Sequence, residues 1–241
     1  MCGIVGFAGD KPCVPILLEG LKRLEYRGYD SAGIAVEEGD TIQTVCRKGK
    51  IAALEQSLQG IPLAGTCGIG HTRWATHGVP SELNAHPHSS CDGKIAIVHN
   101  GIIENHAELR RILEGRGHRF TSQTDSEVIA HLIEDAYTKL AFEGSESDDL
   151  TDALGQRQPH TPEDELRHDE PSLLAQAVNM ACGFLIGSWA LCVLSELEPG
   201  TIVCARKESP LVLGIGKDGV HVASDMAALA GSVREACVLV D

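Results

Sequence analysis

The chain has 241 residues, enough for one large domain or two small ones with a substantial apolar core. Its 20 lysines and arginines against 34 acidic residues give a formal net charge of -14, which argues against nucleic acid or an anionic membrane surface as a partner. The 9 cysteines contain no CxxC pair, which favours a reducing cytoplasm over a disulfide framework. No secretory signal is expected, because the N-terminus, MCGIVGFAGDK, lacks a basic segment and a long apolar one.

The first part of the chain predicts strands and helices in alternation. A short apolar strand, GIVGFAG, precedes a helix whose leucines recur at helical spacing. Two β-rich runs on either side of Gly39 and Asp40 indicate a hairpin, and a helix over 51–58 leads to the apolar strand GIGHTRWA. The next buried strand, IAIVHN, is expected to end at a turn formed by Asn100 and Gly101.

Two capped helices are predicted next. Asn105 is an N-cap type of residue and opens a helix that ends at glycines. Thr124 and Glu127 have the spacing of a capping box ahead of a second apolar stripe. Asp125 is therefore expected in the first turn of this helix, beside the partial positive charge of its N-terminus.

An acidic stretch at 143–170 separates these helices from the rest of the chain. It holds ten acidic residues, two basic ones and few apolar ones, so a solvated and mobile insertion is expected. The uncharged run 172–195 is long enough to cross a membrane, but its polar residues and glycines favour a helix followed by a buried strand. Strands around TIVCARK, PLVLGIG, GVHVAS and ACVLVD complete a chain in which strands outnumber helices.

The first candidate for chemistry is Cys2, directly behind Met1. Removal of Met1 would leave a cysteine that carries the α-amino group of the chain, and a pKa of ~7.7–8.0 lets part of that group act as a base at neutral pH. Nucleophile and base would then belong to one residue. The alternative is a small buried hydrophobe at the edge of a strand.

A second candidate is the segment HTRWATHG, which places Arg73, Trp74, Thr76 and His77 just after an apolar strand. The planar guanidinium of Arg73 suits a carboxylate. The alternative is a surface loop with an ordinary salt bridge and a tryptophan in the core. Hydrogen-bonding roles are expected of His71 and His77 rather than catalytic ones.

Three further features are weaker on their own. Asn100 and Gly101 could direct an amide and a backbone N–H at one oxyanion, although Asn-Gly more often marks a turn. Asp125 could serve only the helix dipole. His86 and His88 flank a proline without a nearby third ligand, so a structural role is expected of them rather than metal binding.

Together these segments point to a family. The motifs MCGIVG, EYRGYDSAG, HTRWATHG, NAHPH, HNGIIENH and TDSE, in this order, resemble the glutaminase half of glucosamine-6-phosphate synthases, a branch of the class II glutamine amidotransferases. Related amidotransferases that act on phosphoribosyl pyrophosphate or aspartate share the N-terminal Cys-Gly and an Asn-Gly, whereas RGYDSAG and RWATHG belong to the hexosamine branch. The resemblance is strong over 1–140 and looser over 171–241.

The resemblance implies an α+β fold, the four-layer αββα sandwich of N-terminal-nucleophile hydrolases with two antiparallel sheets. It implies that Cys2 attacks the side-chain amide of L-glutamine while its α-amine moves protons, and that Asn100 and Gly101 hold the oxyanion. No metal and no cofactor are implied. The implied substrate-binding residues are Arg73 for the α-carboxylate, Asp125 for the α-ammonium, Thr76 and His77 along the pocket, Trp74 as the gate for ammonia, and Arg27 and Tyr29 to close the site.

The resemblance also implies a domain organisation. Residues 1–241 would form one glutaminase domain, with an insertion at 143–170 that is longer than the family generally needs. The isomerase half, which converts fructose 6-phosphate to glucosamine 6-phosphate for amino-sugar synthesis, is absent from this chain, and the full-length enzyme would be a cytoplasmic homo-oligomer. Two alternatives stay open: another N-terminal-nucleophile amidohydrolase or amidotransferase with a different acceptor, and a silent domain that only senses glutamine.

Overall fold

The computed structural model describes residues 2–75, 78–142 and 171–240, so the predicted insertion at 143–170 lies outside the described residues. Within these ranges the strands are β1 (Gly3–Gly9), β2 (Ser31–Glu38), β3 (Thr41–Lys48), β4 (Cys67–Arg73), β5 (His88–Ser89), β6 (Ile95–Ile103), β7 (Gly187–Ser195), β8 (Ile202–Lys207), β9 (Val212–Gly216), β10 (Gly219–Ala223) and β11 (Val233–Val238). The helices are α1 (Cys13–Arg23), α2 (Ile51–Leu58), α3 (His106–Gly115), α4 (Glu127–Phe142), α5 (Leu173–Cys182) and α6 (Met226–Leu229), with a 3₁₀ turn at Glu25–Arg27.

Two antiparallel sheets form the centre of the fold. The larger sheet has the strand order β11-β9-β10-β1-β4-β2-β3, and the smaller one has the order β5-β6-β7-β8. Strand β1 pairs with β10 on one side and with β4 on the other. Cys2 therefore lies at the beginning of a central strand, next to the end of β4.

Alternating side chains separate the layers. In β6, Ala96 and Val98 pack against the facing sheet, whereas Ile95 and Ile97 pack against helices, as the two-residue period of a strand requires. Helices α1, α2 and α6 cover the outer face of the larger sheet, and α3, α4 and α5 cover that of the smaller one. This αββα arrangement confirms the predicted α+β fold.

Helix α4 begins later than predicted, and the capping box is wrong. The helix starts at Glu127, whose carboxylate accepts hydrogen bonds at 2.7 Å from the backbone N–H and the hydroxyl of Ser122. The backbone N–H of Thr124 also points to Ser122, at 3.2 Å from its hydroxyl oxygen. Asp125 thus precedes the helix instead of lying in its first turn, and its carboxylate accepts from the backbone N–H of Ile103 at 2.9 Å.

The predicted turn at Asn100 and Gly101 is also wrong, because β6 continues through both residues to Ile103. Gly101 pairs with Trp189 of β7 and has a φ of 134°, which favours glycine. A Cβ at this position would lie 2.0 Å from the carbonyl oxygen of Ser188. The close approach of β7 thus explains the glycine without a turn.

Smaller differences concern the ends of elements. Asn105 opens α3 as predicted, but its side chain bonds to the backbone of Phe184 and Ile186 instead of capping the helix. The last strand starts at Val233, three residues before the predicted run, and β5 and α6 were not predicted.

The run 172–195 forms α5 and β7 as expected, and none of the helices in the described residues is long and apolar enough to cross a membrane.

Candidate active site

One small pocket gathers residues from distant parts of the sequence. Cys2 before β1, Arg73 at the end of β4, Gly101 in β6 and Asp125 before α4 all line it, together with Trp74. Its volume of about 20 Å³ holds little more than a water molecule. A larger molecule therefore does not fit unless a lining side chain moves. Among the lining residues, Trp74 has a side chain that is 53% exposed.

The Cys2 thiol lies in a partly buried position at the edge of this pocket. The backbone N–H of Trp74 donates to its sulfur at 3.3 Å. Burial raises the pKa of the Cys2 thiol, although the Trp74 N–H and the charge of Arg73 act in the opposite direction. At neutral pH the thiol is therefore protonated, and it needs a base before it can act as a nucleophile.

Asn100 is held with its amide nitrogen toward Cys2. Its Nδ2 donates to the backbone carbonyl of Cys2 at 3.4 Å, while its Oδ1 lies 2.9 Å from Nε2 of His71. The same Nε2 lies 3.0 Å from the carbonyl oxygen of His99, so it faces two acceptors and must carry the proton. His71 thereby fixes which end of the Asn100 amide points to Cys2.

Two buried histidines, His86 and His99, line the pocket, and two more, His71 and His88, are buried nearby. Burial lowers the pKa of His71 to about 3 and the pKa values of His88 and His99 to about 4, and the pKa of His86 is lowered as well. They are neutral at physiological pH and act through hydrogen bonds. His86 Nδ1 lies 3.0 Å from His71 Nδ1, and His88 Nε2 lies 2.9 Å from the Thr124 hydroxyl. These hydrogen bonds fit the structural role expected of His86 and His88.

Arg73 is a buried cation with oriented contacts. Its Nη2 donates to the carbonyl oxygen of Gly78 at 3.2 Å, and its Nη1 lies 3.9 Å from Oδ1 of Asp30. The other oxygen of Asp30 accepts from the backbone N–H of Ala75 at 2.5 Å. Asp30 thus anchors the segment after β4. Arg73 also shares its pocket with Asp125, a side chain of opposite charge.

The 3₁₀ turn at Glu25–Arg27 and the loop that joins it to β2 support the pocket from one side. Arg27 donates to the carbonyl oxygen of Cys2 at 3.4 Å and to Oδ2 of Asp225 at 2.7 Å. Asp225 also caps α6, since its Oδ1 accepts from the backbone N–H of Ala227 at 2.9 Å. Arg27 therefore links the backbone of Cys2 to Asp225, which follows β10.

Gly28 and Tyr29 in this loop make different contacts. A Cβ at Gly28, whose φ is 75°, would lie 2.9 Å from the ring of Trp74. The Tyr29 hydroxyl donates to Glu25 and accepts from the backbone N–H of Ile51 at 2.8 Å, so these contacts join the loop to α2.

Thr76 and His77 lie outside the described residues. Sequence reasoning did not assign a role to Asp225, nor to Asp30, although Asp30 stands in the motif EYRGYDSAG. Nor did it connect His71 with Asn100, because the two side chains belong to facing sheets and only the packing brings them together.

Comparisons with known proteins find relatives of this chain among glutamine amidotransferases. Residues 55–142 match the model of the glutamine amidotransferase domain family. A curated relative from Pseudomonas aeruginosa, named glutamine--fructose-6-phosphate aminotransferase [isomerizing], is 49% identical over 230 residues, which are 95% of this chain and 32% of the relative. A relative of the same name from Thermus thermophilus is 45% identical over 241 residues, 100% of this chain and 34% of the relative. The chain thus spans about a third of the length of these relatives.

Solved structures share the fold. Glutamine phosphoribosylpyrophosphate amidotransferase from B. subtilis, complexed with ADP and GMP, has a TM-score of 0.70 at 26% identity, over 96% of this chain and 44% of that chain. A structure described as the allosteric regulatory enzyme of purine biosynthesis has a TM-score of 0.71 at 26% identity, over the same 96% and 44%.

Proposed function

Because the chain belongs to the family of glutamine amidotransferase domains, we propose that it hydrolyses the side-chain amide of L-glutamine to glutamate and ammonia. The observation that carries this proposal is the position of the Cys2 thiol in one pocket with Arg73, Gly101 and Asp125. Cleavage of an amide in a free amino acid needs a nucleophile, donors for the oxyanion and charges that hold the zwitterion. The pocket provides all three.

In the proposed reaction, the Cys2 sulfur forms a bond to the amide carbon and its proton passes to the α-amino group of the same residue. The amide oxygen becomes an oxyanion, which Asn100 Nδ2–H and the Gly101 backbone N–H stabilise. The C–N bond then breaks, and the leaving nitrogen takes the proton and departs as ammonia. Water hydrolyses the thioester, which releases glutamate and restores the thiol.

Substrate recognition is proposed to depend on the two buried charges. Arg73 would bind the α-carboxylate and Asp125 the α-ammonium group, so an amide that lacks either group would bind weakly. Trp74 would move to admit glutamine and would control the passage of ammonia.

The remaining site residues are proposed to complete this pocket. Arg27 would hold the Cys2 backbone, and Tyr29 would brace the same loop. Thr76 and His77, from the predicted motif, would line the side of the pocket where glutamine lies.

The wider role follows from the names of the relatives. We propose that residues 1–241 form one glutaminase domain with an insertion at 143–170, and that an isomerase unit outside this chain uses the ammonia to convert fructose 6-phosphate to glucosamine 6-phosphate in amino-sugar synthesis. The full-length enzyme would be a homo-oligomer. All nine cysteines are free thiols, which supports a reducing cytoplasm as its location.

The test is intact mass spectrometry before and after treatment with a glutamine-analogue electrophile. We expect active protein to lack Met1 and to gain one adduct, at Cys2, while the other eight cysteines stay unmodified. Cys2→Ala should abolish turnover and adduct formation but leave glutamine binding largely intact. Full glutaminase activity in a chain that keeps Met1 would rule out the α-amine mechanism, and glutamine binding without any turnover would indicate a sensing domain instead.

A further inference from the structure

A second cluster of polar side chains lies outside the pocket described above. Cys91 belongs to the turn between β5 and β6, His118 follows α3, and His131 and Glu134 are three residues apart on α4 and so face the same side of that helix. One possible ligand atom from each of the four residues lies within 4.8 Å of all the others. We infer that these residues form a structural zinc site.

The distances within the cluster are those of a tetrahedral zinc centre. Zinc bonds of about 2.3 Å to sulfur and about 2.0–2.1 Å to nitrogen place a sulfur and a nitrogen about 3.6 Å apart, and a nitrogen and an oxygen about 3.4 Å apart. Cys91 Sγ lies 3.6 Å from His118 Nδ1 and 3.5 Å from His131 Nδ1. Glu134 Oε2 lies 3.1 Å from His118 Nδ1 and 3.4 Å from His131 Nδ1.

The groups behind the four ligands also suit a metal. A histidine that binds zinc through one ring nitrogen usually directs the other to a carboxylate. His118 Nε2 lies 3.7 Å from Asp135, and His131 Nε2 lies 3.7 Å from Glu127. Both imidazoles therefore turn Nδ1 toward the centre of the cluster and Nε2 toward an acidic side chain.

The chemistry of the four ligands selects the class of metal. Thiolate and imidazole favour zinc-like ions, whereas magnesium and calcium prefer oxygen ligands. One thiolate and one carboxylate together balance the charge of Zn²⁺. The backbone N–H of Arg119 donates to Cys91 Sγ at 3.3 Å, an outer hydrogen bond of the kind that orients a metal ligand.

Four protein ligands leave no open position, which is typical of structural rather than catalytic zinc. The site would join the β5–β6 turn, the residues after α3 and the middle of α4, three segments that are distant in sequence. A cleft of about 580 Å³, lined by Cys91 and His131 among others, gives a path for the ion. Bound zinc should therefore stabilise the fold against unfolding.

The experiment measures zinc in the purified chain after dialysis against metal-free buffer, together with its thermal unfolding. We expect one zinc per chain and a melting temperature that a chelator lowers and added zinc restores. Cys91→Ser and His118→Asn should lose the metal. Cys237→Ser, at another exposed cysteine, is the matched control and should keep it. Asp135→Asn, which alters a group behind a ligand, should weaken zinc binding by about 10- to 100-fold.

Cobalt gives a readout that does not depend on the variants folding. One equivalent of Co²⁺ added to the metal-free wild-type chain should produce the visible bands of a tetrahedral site and a thiolate-to-cobalt charge-transfer band. The Cys237→Ser control should show the same spectrum. A wild-type chain without these bands, or zinc retained in full by Cys91→Ser, would overturn the assignment.

Discussion

His71 and Asn100 are joined across the two sheets by a hydrogen bond of 2.9 Å between His71 Nε2 and Asn100 Oδ1. His71 is completely buried, and burial lowers its pKa to about 3, so the ring stays neutral and Nε2 acts as the donor. With its oxygen occupied in this way, the Asn100 amide presents its nitrogen to Cys2. A neutral histidine in β4 thus orients the proposed oxyanion donor in β6.

Replacement of Asn100 by alanine should lower kcat for glutamine hydrolysis by ~10²–10³, because one oxyanion donor is lost. The KM for glutamine should change little, since the side chain does not contact the α-groups in the proposed complex. Steady-state kinetics measures both quantities. Asn179→Ala, at an exposed position of α5, is a control that should retain wild-type rates. A normal rate for Asn100→Ala would remove the oxyanion assignment.

Replacement of His71 by phenylalanine should lower kcat by about 10- to 100-fold, because loss of a buried hydrogen bond of ~1–3 kcal/mol frees the Asn100 amide to rotate. A double-mutant cycle provides the measurement. The two substitutions should not be additive, so the double variant should be no slower than Asn100→Ala alone. Independent, additive losses would show that His71 acts in some other way than by orienting Asn100.

The predictions from sequence succeeded where a local pattern agrees with the packing. Apolar residues at a period of two in IAIVHN give a strand with Ala96 facing one layer and Ile97 the other. The turn expected at Asn100 and Gly101 failed because the close approach of Ser188 in β7 requires a glycine there for another reason. The turn preference of an Asn-Gly pair carries no information about a contact with a distant strand.

The same limit applies to the side-chain clusters. Cys91 and His118 meet only because α3 and α4 pack on the sheet that carries β5, so no spacing along the chain predicts a zinc site. The capping box failed for a related reason, since Ser122 competes for the carboxylate of Glu127. The motifs singled out Cys2, Arg73, Gly101 and Asp125, which line one pocket, whereas the contacts that orient them required the fold.

The buried histidines should make stability fall on acidification. Their folded pKa values, about 3 for His71 and about 4 for His88, lie below the ~6.5 of an unfolded chain, so the unfolded state binds more protons between these limits. The free energy of unfolding is therefore at its full value above about pH 6.5 and falls below it. From pH 7 to 5.5 the loss should be about 1 kcal/mol per buried histidine.

Urea unfolding of wild type and His88→Gln at both pH values measures this effect. The glutamine can keep the hydrogen bond to Thr124 but does not titrate, so the variant should lose about 1 kcal/mol less than wild type. The cluster around His118 is the same in both proteins, so its contribution to the pH dependence is equal in both. Identical losses in the two proteins would contradict the neutral state of His88.

Gly28→Ala should disturb the Trp74 ring. The φ of 75° makes any other residue unfavourable, and the new Cβ would lie 2.9 Å from the ring. Gly39→Ala is a matched control, because its φ of 61° brings a similar backbone cost while nothing lies within 4 Å of the added Cβ. We expect both variants to lose about 1 kcal/mol of stability. Only Gly28→Ala should change tryptophan fluorescence and the KM for glutamine, and equal effects in both variants would argue against the contact.

Arg73 and Asp125 are proposed to bind opposite ends of the same zwitterion. A bidentate contact between Arg73 and the α-carboxylate, screened from water, should contribute ~1.5–3 kcal/mol, or about 10- to 150-fold in affinity. Because the α-carboxylate does not react, most of the loss in Arg73→Ala should appear in KM, with some in kcat if the contact also aligns the amide with Cys2. Arg47→Ala, which removes an ion pair with Glu82 and a hydrogen bond to the carbonyl oxygen of Cys46, is the control and should leave the kinetics unchanged.

A glutamine analogue without its α-carboxylate separates recognition from a general loss of structure. Wild type should discriminate strongly against the analogue, whereas Arg73→Ala should hardly distinguish it from glutamine, since the partner of the missing group is gone in both cases. A folding defect would lower the rates with both substrates and keep their ratio. If Arg73→Ala retains the wild-type preference for glutamine, Arg73 does not bind the carboxylate, and its burial beside Asp30 serves only to hold the segment after β4.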